Sequence, residues 1–434
     1  QALQMDPENG RFKRALAQDV LLTDHLDEAL KLYNEIAASD PRDIQVQLRL
    51  CEIYRGKGDF AKARAAFNKA HEMDQESLEV RYEGVRLLEA EGKVDDAIAA
   101  LRAMLNDTAK KSYTDAEKNS RTVLLENLGM LYRGAERYNE AVDAFHQIPQ
   151  VDPAAEPRAS VEVVETWRMA KDFKKAEQEA AAALKKFPKD RMVTRVHASL
   201  LADMGKTDAA AAELRSLLTG EGKLETQIAI AQVYEKGKRW TEMAEALDAA
   251  EQIAQSKQDK QTVLFMRGAM LERQKQFDAA EANFRKVLDL DPENAGALNY
   301  LGYMLADRNL RLDEAQKLVS KAVELDPQNG AYLDSMGWVC YRQNRLDEAA
   351  TYLQKALQKI GKDPTVHDHL GDVYFKQGKM REAIAQWQNS LKEYEAGSSQ
   401  SDADPAEMAS VSKKLESARV RVAKEESLEK EKRQ

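Results

Sequence analysis

The sequence predicts an all-α chain of stacked two-helix units, and three observations carry the prediction. First, marks recur every 34 to 35 residues between Asn294 and Glu395. An apolar-Gly step (Leu301-Gly302, Met336-Gly337, Leu370-Gly371) precedes a Glu-Ala step (Glu314-Ala315, Glu348-Ala349, Glu382-Ala383). A large residue then follows four places on, at Val319, Leu353 and Trp387. Second, the composition is rich in Ala, Leu, Glu, Lys and Arg, with ten Pro and 6% aromatics, which favours helix. Third, apolar residues within each segment step by three and four, the spacing of one helix face. A period between about 20 and 50 residues marks a repeat array, in which each unit buries its apolar face only against its neighbours.

Taken in order, residues 1–9 read as the tail of a truncated repeat ending near Met5-Asp6-Pro7. The native N-terminus is expected to lie upstream, where any signal or lipid-attachment segment would stand. Residues 10–109 hold units one to three. The first carries Leu16, Val20, Ala29, Tyr33 and Ile36; the second Leu50, Tyr54, Ala63, Phe67 and Ala70, with Gly58 in its turn; the third Gly84, Leu88, Ala97, Leu101 and Met104. Residues 110–121 are an insertion. Thr114 and Glu117 have the spacing of a capping box that would start the next helix early; a longer loop with a lengthened helix, or a binding loop, also accounts for the extra polar residues.

Units four to eleven fill residues 122–395. The fourth has Leu128, Gly129, Tyr132, Ala141, Phe145 and Ile148; the fifth is degenerate around Trp167 and Ala176; the sixth has Ala198, Leu201, Ala210, Leu214 and Leu217. The seventh places Met243 where a small residue is usual, and the eighth has Gly268, Ala280, Phe284 and Val287. Small residues let the two backbones approach, and large ones fill between layers. Residues 396–405, with Gly397-Ser398-Ser399, read as a linker. In residues 406–434, Met408, Val411, Leu415, Ala418 and Val422 form an amphipathic stripe, either capping the last apolar face or binding a partner. The Lys/Glu-rich tail beyond Glu425 is expected to fray.

These marks resemble tetratricopeptide repeats. The resemblance implies a right-handed superhelix of about eleven repeats with a C-terminal capping helix, whose first helices line a concave groove. It also implies a non-catalytic protein-protein scaffold. On that frame the groove positions of units eight to eleven are Phe265, Asn299, Tyr303, Asp334, Trp338, Tyr341, Arg342, Asp368, Asp372 and Phe375. Aromatic residues and Arg are common interface anchors, although Tyr341 and Phe375 would equally pack between layers. Chaperone-binding members of the family carry a Lys and Asn clamp for a C-terminal carboxylate. Here those places are acidic and aromatic, which suits a neutral or basic, partly apolar peptide.

The motifs of the last units, Gly302-Tyr303-Met304-Leu305-Ala306-Asp307 and Leu333-Asp334-Ser335-Met336-Gly337-Trp338, resemble bacterial cell-envelope members of the family, many exported or lipid-anchored. That resemblance implies the periplasm or the outer-membrane periphery; the cytoplasm is the alternative. A regulatory or substrate-recruiting subunit of an enzyme complex is the alternative function. No glycine-rich phosphate loop, HExxH or GxSxG occurs, and no cofactor is expected. The histidines of His367-Asp368-His369 point about 200° apart on a helix and do not share a metal. The net charge of −9 disfavours nucleic acid. No stretch reaches the roughly 18 apolar residues of a membrane span. Cys51 and Cys340, 289 residues apart, read as separate buried thiols.

Overall fold

The computed structural model describes residues 10–23, 25–397 and 405–433, with side chains in the last helix to Lys424. The expected tail at 1–9 and the centre of the linker, 398–404, lie outside the described residues. What is described is helical, with short 3-10 turns at Pro153–Ala155 and Ser216–Leu218.

The chain forms two compact units, Gln1–His197 and Ala198–Gln434. The first holds the pairs α1 (Gly10–Leu22) with α2 (Leu26–Ser39), α3 (Ile44–Gly56) with α4 (Phe60–Met73), and α5 (Leu78–Ala90) with α6 (Val94–Asp107). It continues with α7 (Asp115–Gly134) and α8 (Tyr138–Val151), then α9 (Glu156–Met169) and α10 (Phe173–Lys186). Helix α11 (Arg191–Asp203) carries the boundary and pairs in sequence with α12 (Thr207–Arg215). The second unit goes on with α13 (Lys223–Lys236) and α14 (Trp240–Ile253), α15 (Lys257–Arg273) and α16 (Phe277–Leu290), and α17 (Ala295–Asp307) and α18 (Leu312–Leu325). It ends with α19 (Gly330–Arg342) and α20 (Leu346–Lys359), α21 (Pro364–Lys376) and α22 (Met380–Gly397), and a single helix α23 (Pro405–Arg433).

Local chemistry explains where the pairs begin and turn. First helices open on a side-chain cap: Asp43, Ser77, Asn294, Asn329 and Asp363 each accept from backbone N–H groups of the first turn, satisfying donors that have no helical partner. Helix α7 opens on Thr114, and both halves of its capping box with Glu117 are formed. Most of the insertion therefore became helix. Between first and second helix one residue adopts a left-handed backbone: Gly58 at φ 74°, but also Lys238 at 54° and Asn344 at 63°. A residue with a Cβ pays roughly 1–2 kcal/mol there, so packing of the pair over-rides the local preference. The turn of the ninth pair, one residue longer, has two such residues, Asn309 and Arg311.

Within a pair the helices meet glycine against a large side chain. A Cβ on Gly129 would lie 2.5 Å from Phe145, on Gly268 2.8 Å from Phe284, and on Gly371 2.5 Å from Trp387. Gly84 instead faces Phe67 of the preceding pair. The Ala positions of the second helices are fully buried, from Ala29, Ala63 and Ala97 to Ala315, Ala349 and Ala383. Met243 fills the same place at 0% exposure. Ion pairs such as Arg55–Glu83 (3.1 Å), with its carboxylate buried, and Arg285–Glu314 (2.7 Å) join neighbouring pairs; the second, partly exposed, is worth ~1 kcal/mol or less.

Helix α23 covers the last pair. Val411, Leu415 and Ala418 are buried against Ala383, Trp387 and Tyr394 of α22, so the amphipathic stripe serves as a cap. The α23 backbone is helical to Arg433, in keeping with the Glu, Lys, Leu and Arg of the tail, which are good helix formers.

Candidate functional site

The second unit contains a cavity of about 310 Å³ between α15, α17, α19 and the start of α21. Asn299 and Tyr303 reach it from α17, one turn apart on one face, and Asp334 reaches it from α19. Glu272, at the end of α15, Ile360, after α20, and Asp363, the cap of α21, complete the polar and apolar walls. Asn299 is 8% exposed and its Oδ1 has no hydrogen-bond partner. Burial holds the Glu272 carboxyl above its usual range, with Asp307 adding to the rise and Arg273 opposing it. Burial raises the Tyr303 hydroxyl too, reinforced by Asp307 and Asp334.

Behind the cavity stands an aromatic column. The His369 ring stacks on Trp338 at 4.1 Å, and Trp338 stacks on Tyr341 at 4.8 Å. His369 Nδ1 lies 2.9 Å from Asp334 Oδ1. Trp338 Nε1 donates to Asp307 Oδ1 at 3.2 Å, and the Arg342 guanidinium, 5.0 Å from the Trp338 ring, also bonds Asp307. Trp338 is only 7% exposed, so its ring area is spent inside the protein. Phe265 likewise packs edge-on to Tyr300 and Phe284, at 5.1 and 5.7 Å.

The last group of sequence-selected residues meets α23. Lys414 Nζ donates to both oxygens of Asp368 and to Asp372, all at 2.8 Å. Burial pushes the Asp372 carboxyl up, helped by Asp368 and opposed by Lys414. Phe375 packs on Trp387 at 5.6 Å, under Arg421. Of the ten residues selected from sequence, Asn299, Tyr303 and Asp334 thus line one cavity. Trp338, Tyr341 and Arg342 form the column behind it, Asp368, Asp372 and Phe375 lie against α23, and Phe265 sits in the layer before.

Sequence reasoning missed Glu272, Asp363, His369 and Lys414. Glu272 follows Phe265 by two helical turns and shares its face, which is the one signal that could have found it. His367 and His369 turn to different partners, Gln386 at 2.7 Å and Asp334. Burial disfavours charge on His369, but Asp334, Asp368 and Asp372 outweigh it and the net shift is upward. A raised folded-state value gives stability that is complete below the ordinary value of 6.5 and is lost as pH rises through the folded value. Melting temperature is therefore expected to fall as pH rises above about 6.5. In His369→Gln, thermal unfolding across that range should show a flatter dependence; an unchanged slope would reject the assignment.

Cys51 and Cys340 are both buried and unpaired. Burial pushes the Cys51 thiol up to about 12 and raises Cys340 as well, which removes the thiolate a nucleophile needs. No helix among the described residues is long and apolar enough to cross a membrane.

A tetratricopeptide repeat family model matches residues 54–117, and a second matches residues 265–330 and 305–365. No curated protein matches the chain by sequence. Among solved structures, yeast Tom70 aligns with a TM-score of 0.51 at 16% identity, over 96% of this chain and 97% of that one; the likeness is one of fold. The APC/C hetero-tetramer Cut9-Hcn1 aligns at 15% identity with a TM-score of 0.42, over 96% of this chain and 84% of that one. The 34-residue marks, the eleven helical pairs of the described residues and the matched segments lead to one conclusion: the chain carries tetratricopeptide repeats in both of its units.

Proposed function

We propose that this protein is a non-catalytic interaction scaffold that holds an extended segment of a protein partner on the first-helix face of α15 to α21. The observation that carries this is the cavity holding Asn299, Tyr303 and Asp334, where a buried amide oxygen is left without a partner beside carboxylates. An unsatisfied buried acceptor costs about 1–3 kcal/mol, a cost that a bound donor would offset. The pocket, at about 310 Å³, lies at the lower edge of the ~300–1,000 Å³ of small-molecule sites, a size that suits a single side chain better than a large cofactor. The acidic, aromatic lining favours a basic or neutral, partly apolar segment. It disfavours an acidic tail, and the net charge of −9 disfavours nucleic acid.

The bacterial envelope, with a lipid anchor in a preceding segment, is the compartment we infer from the resemblance of residues 302–307 and 333–338 to envelope proteins. Fractionation of the native protein tests that part separately; recovery in the cytosol removes it.

The scaffold reading is tested by affinity purification of the full-length protein from its own cell, beside a Glu272→Lys, Tyr300→Ala variant. Both residues line the cavity, Tyr300 is 39% exposed, and the melting curve of the variant checks that it folds. Loss of an interface anchor costs at least about 1–2 kcal/mol, so recovery of the specific partner should drop about ten-fold. Equal recovery with wild type and variant would sink the assignment of this face.

A further inference from the structure

We infer that the cavity between α15, α17, α19 and α21 is a pocket for one arginine side chain of the partner segment, with the guanidinium bonded by Asn299, Glu272 and Asp334. The inference rests on the scaffold reading above and specifies its chemistry.

Four observations converge on a guanidinium. The first is the Asn299 Oδ1 acceptor, buried and without a partner. It sits on the interior of a helix, so it cannot turn to solvent by local fraying. The second is charge. Glu272, Asp334 and Asp363 line the cavity, and no Lys, Arg or His is among its lining residues. Asp334 Oδ1 faces His369, and Asp363 Oδ1 accepts from two backbone N–H groups of α21. Glu272 is the carboxylate in greatest need of a cation, since burial opposes its charge.

The third observation is shape. The acceptors come from three different helices, so they are spread around the cavity rather than gathered at one point. A planar group with five donors in a fixed fork spans such a set, whereas an ammonium is a point charge. The Tyr300 and Tyr303 rings, with Met304, Ile360 and Val366, offer apolar surface for the methylene stem and a face for the guanidinium.

The fourth is the next layer of the same array. Asp368 stands 34 residues after Asp334, and Asp334 stands 35 after Asn299, so the three occupy one repeat position. At Asp368 the chain supplies its own cation, Lys414, at 2.8 Å. In the layer before, Asp334 Oδ1 faces His369 at 2.9 Å, and one layer earlier still Asn299 Oδ1 is left without a partner from the chain.

The test uses the full-length protein and N-acetyl-arginine N-methylamide as the probe. Isotope-labelled protein is titrated with it, and the Asn299 side-chain amide is followed by NMR, beside the blocked citrulline compound, a neutral isostere. Saturable movement of the Asn299 amide is expected, with citrulline about ten-fold weaker or worse. Glu272→Gln should weaken the arginine compound by a similar factor with an unchanged melting curve. Asn299→Leu should abolish the response in other resonances of the cavity; if that variant does not fold, the half-buried Glu272→Gln carries the comparison. Equal binding of arginine and citrulline, tighter binding of the blocked lysine compound, or indifference to Glu272→Gln would overturn the pocket. If the partner is still captured in a Glu272-dependent way while the arginine compound fails to bind, the scaffold reading stands and this pocket falls.

Discussion

Trp387→Ala is expected to destabilise the C-terminal end of the array by about 3–5 kcal/mol, the usual cost of truncating a buried aromatic. Trp387 is 2% exposed and among the largest fully buried side chains. Its ring fills the space left by the missing Cβ of Gly371, touches Phe375, and belongs to the same cluster as Val411, Leu415 and Ala418 of α23. Truncation therefore opens a void between α21 and α22 and loosens the covering helix together with it. Contacts in an array reach only the neighbouring repeats, so hydrogen exchange should rise from α21 onward and stay unchanged in the first unit. Trp387 Nε1 is a buried donor without a partner. Trp387→Phe, which removes that donor and keeps most of the ring, should cost far less than the alanine variant. Urea unfolding followed by circular dichroism decides between them, and an alanine loss under about 1 kcal/mol would contradict the packing described.

Gly302→Ala should cost about 1–3 kcal/mol although it adds a single methyl group. The new Cβ would sit 2.5 Å from Val319 Cγ2 and 3.1 Å from the carbonyl oxygen of Ala315. The first contact can be relieved by shortening the side chain; the second is backbone and cannot. Val319 is fully buried, so Val319→Ala alone is destabilising through its cavity. The double variant should then be less destabilised than the sum of the singles, by about 1 kcal/mol. Strict additivity, measured by the same unfolding curves, would mean that the helices of this pair do not meet where Gly302 and Val319 place them.

The repeat was legible because its physics is local and periodic. A glycine opposite an aromatic, as at Gly129 and Phe145, and an alanine at each closest approach leave marks that survive drift in the rest of the unit. Even the degenerate unit around Trp167 keeps Ala176 fully buried. The insertion was half legible: Thr114 and Glu117 signal a helix start, but a cap spacing alone does not say how long the helix will be. The cavity was legible in part. Asn299, Tyr303 and Asp334 sit at repeat positions that can be counted along the chain. Glu272, Ile360 and Asp363 sit at helix ends and in turns, where the period gives no register. Trp338 shows the opposite limit: an aromatic at such a position has the same spacing whether its ring faces out or stacks on His369. Lys414 could not be paired in advance either, since its partners lie 42 and 46 residues away across a linker.

The clamp of Lys414 on Asp368 and Asp372 also limits how these molecules can join. An uncovered last repeat is half of an interface whose other half is the opening helix of another copy, and such head-to-tail joining has no reason to stop. With α23 laid over Trp387 and Lys414 of the same chain bonded to both acids, that face of the last pair offers no template for a fibre. A second copy cannot stack on that face of α21 and α22 while α23 lies over it.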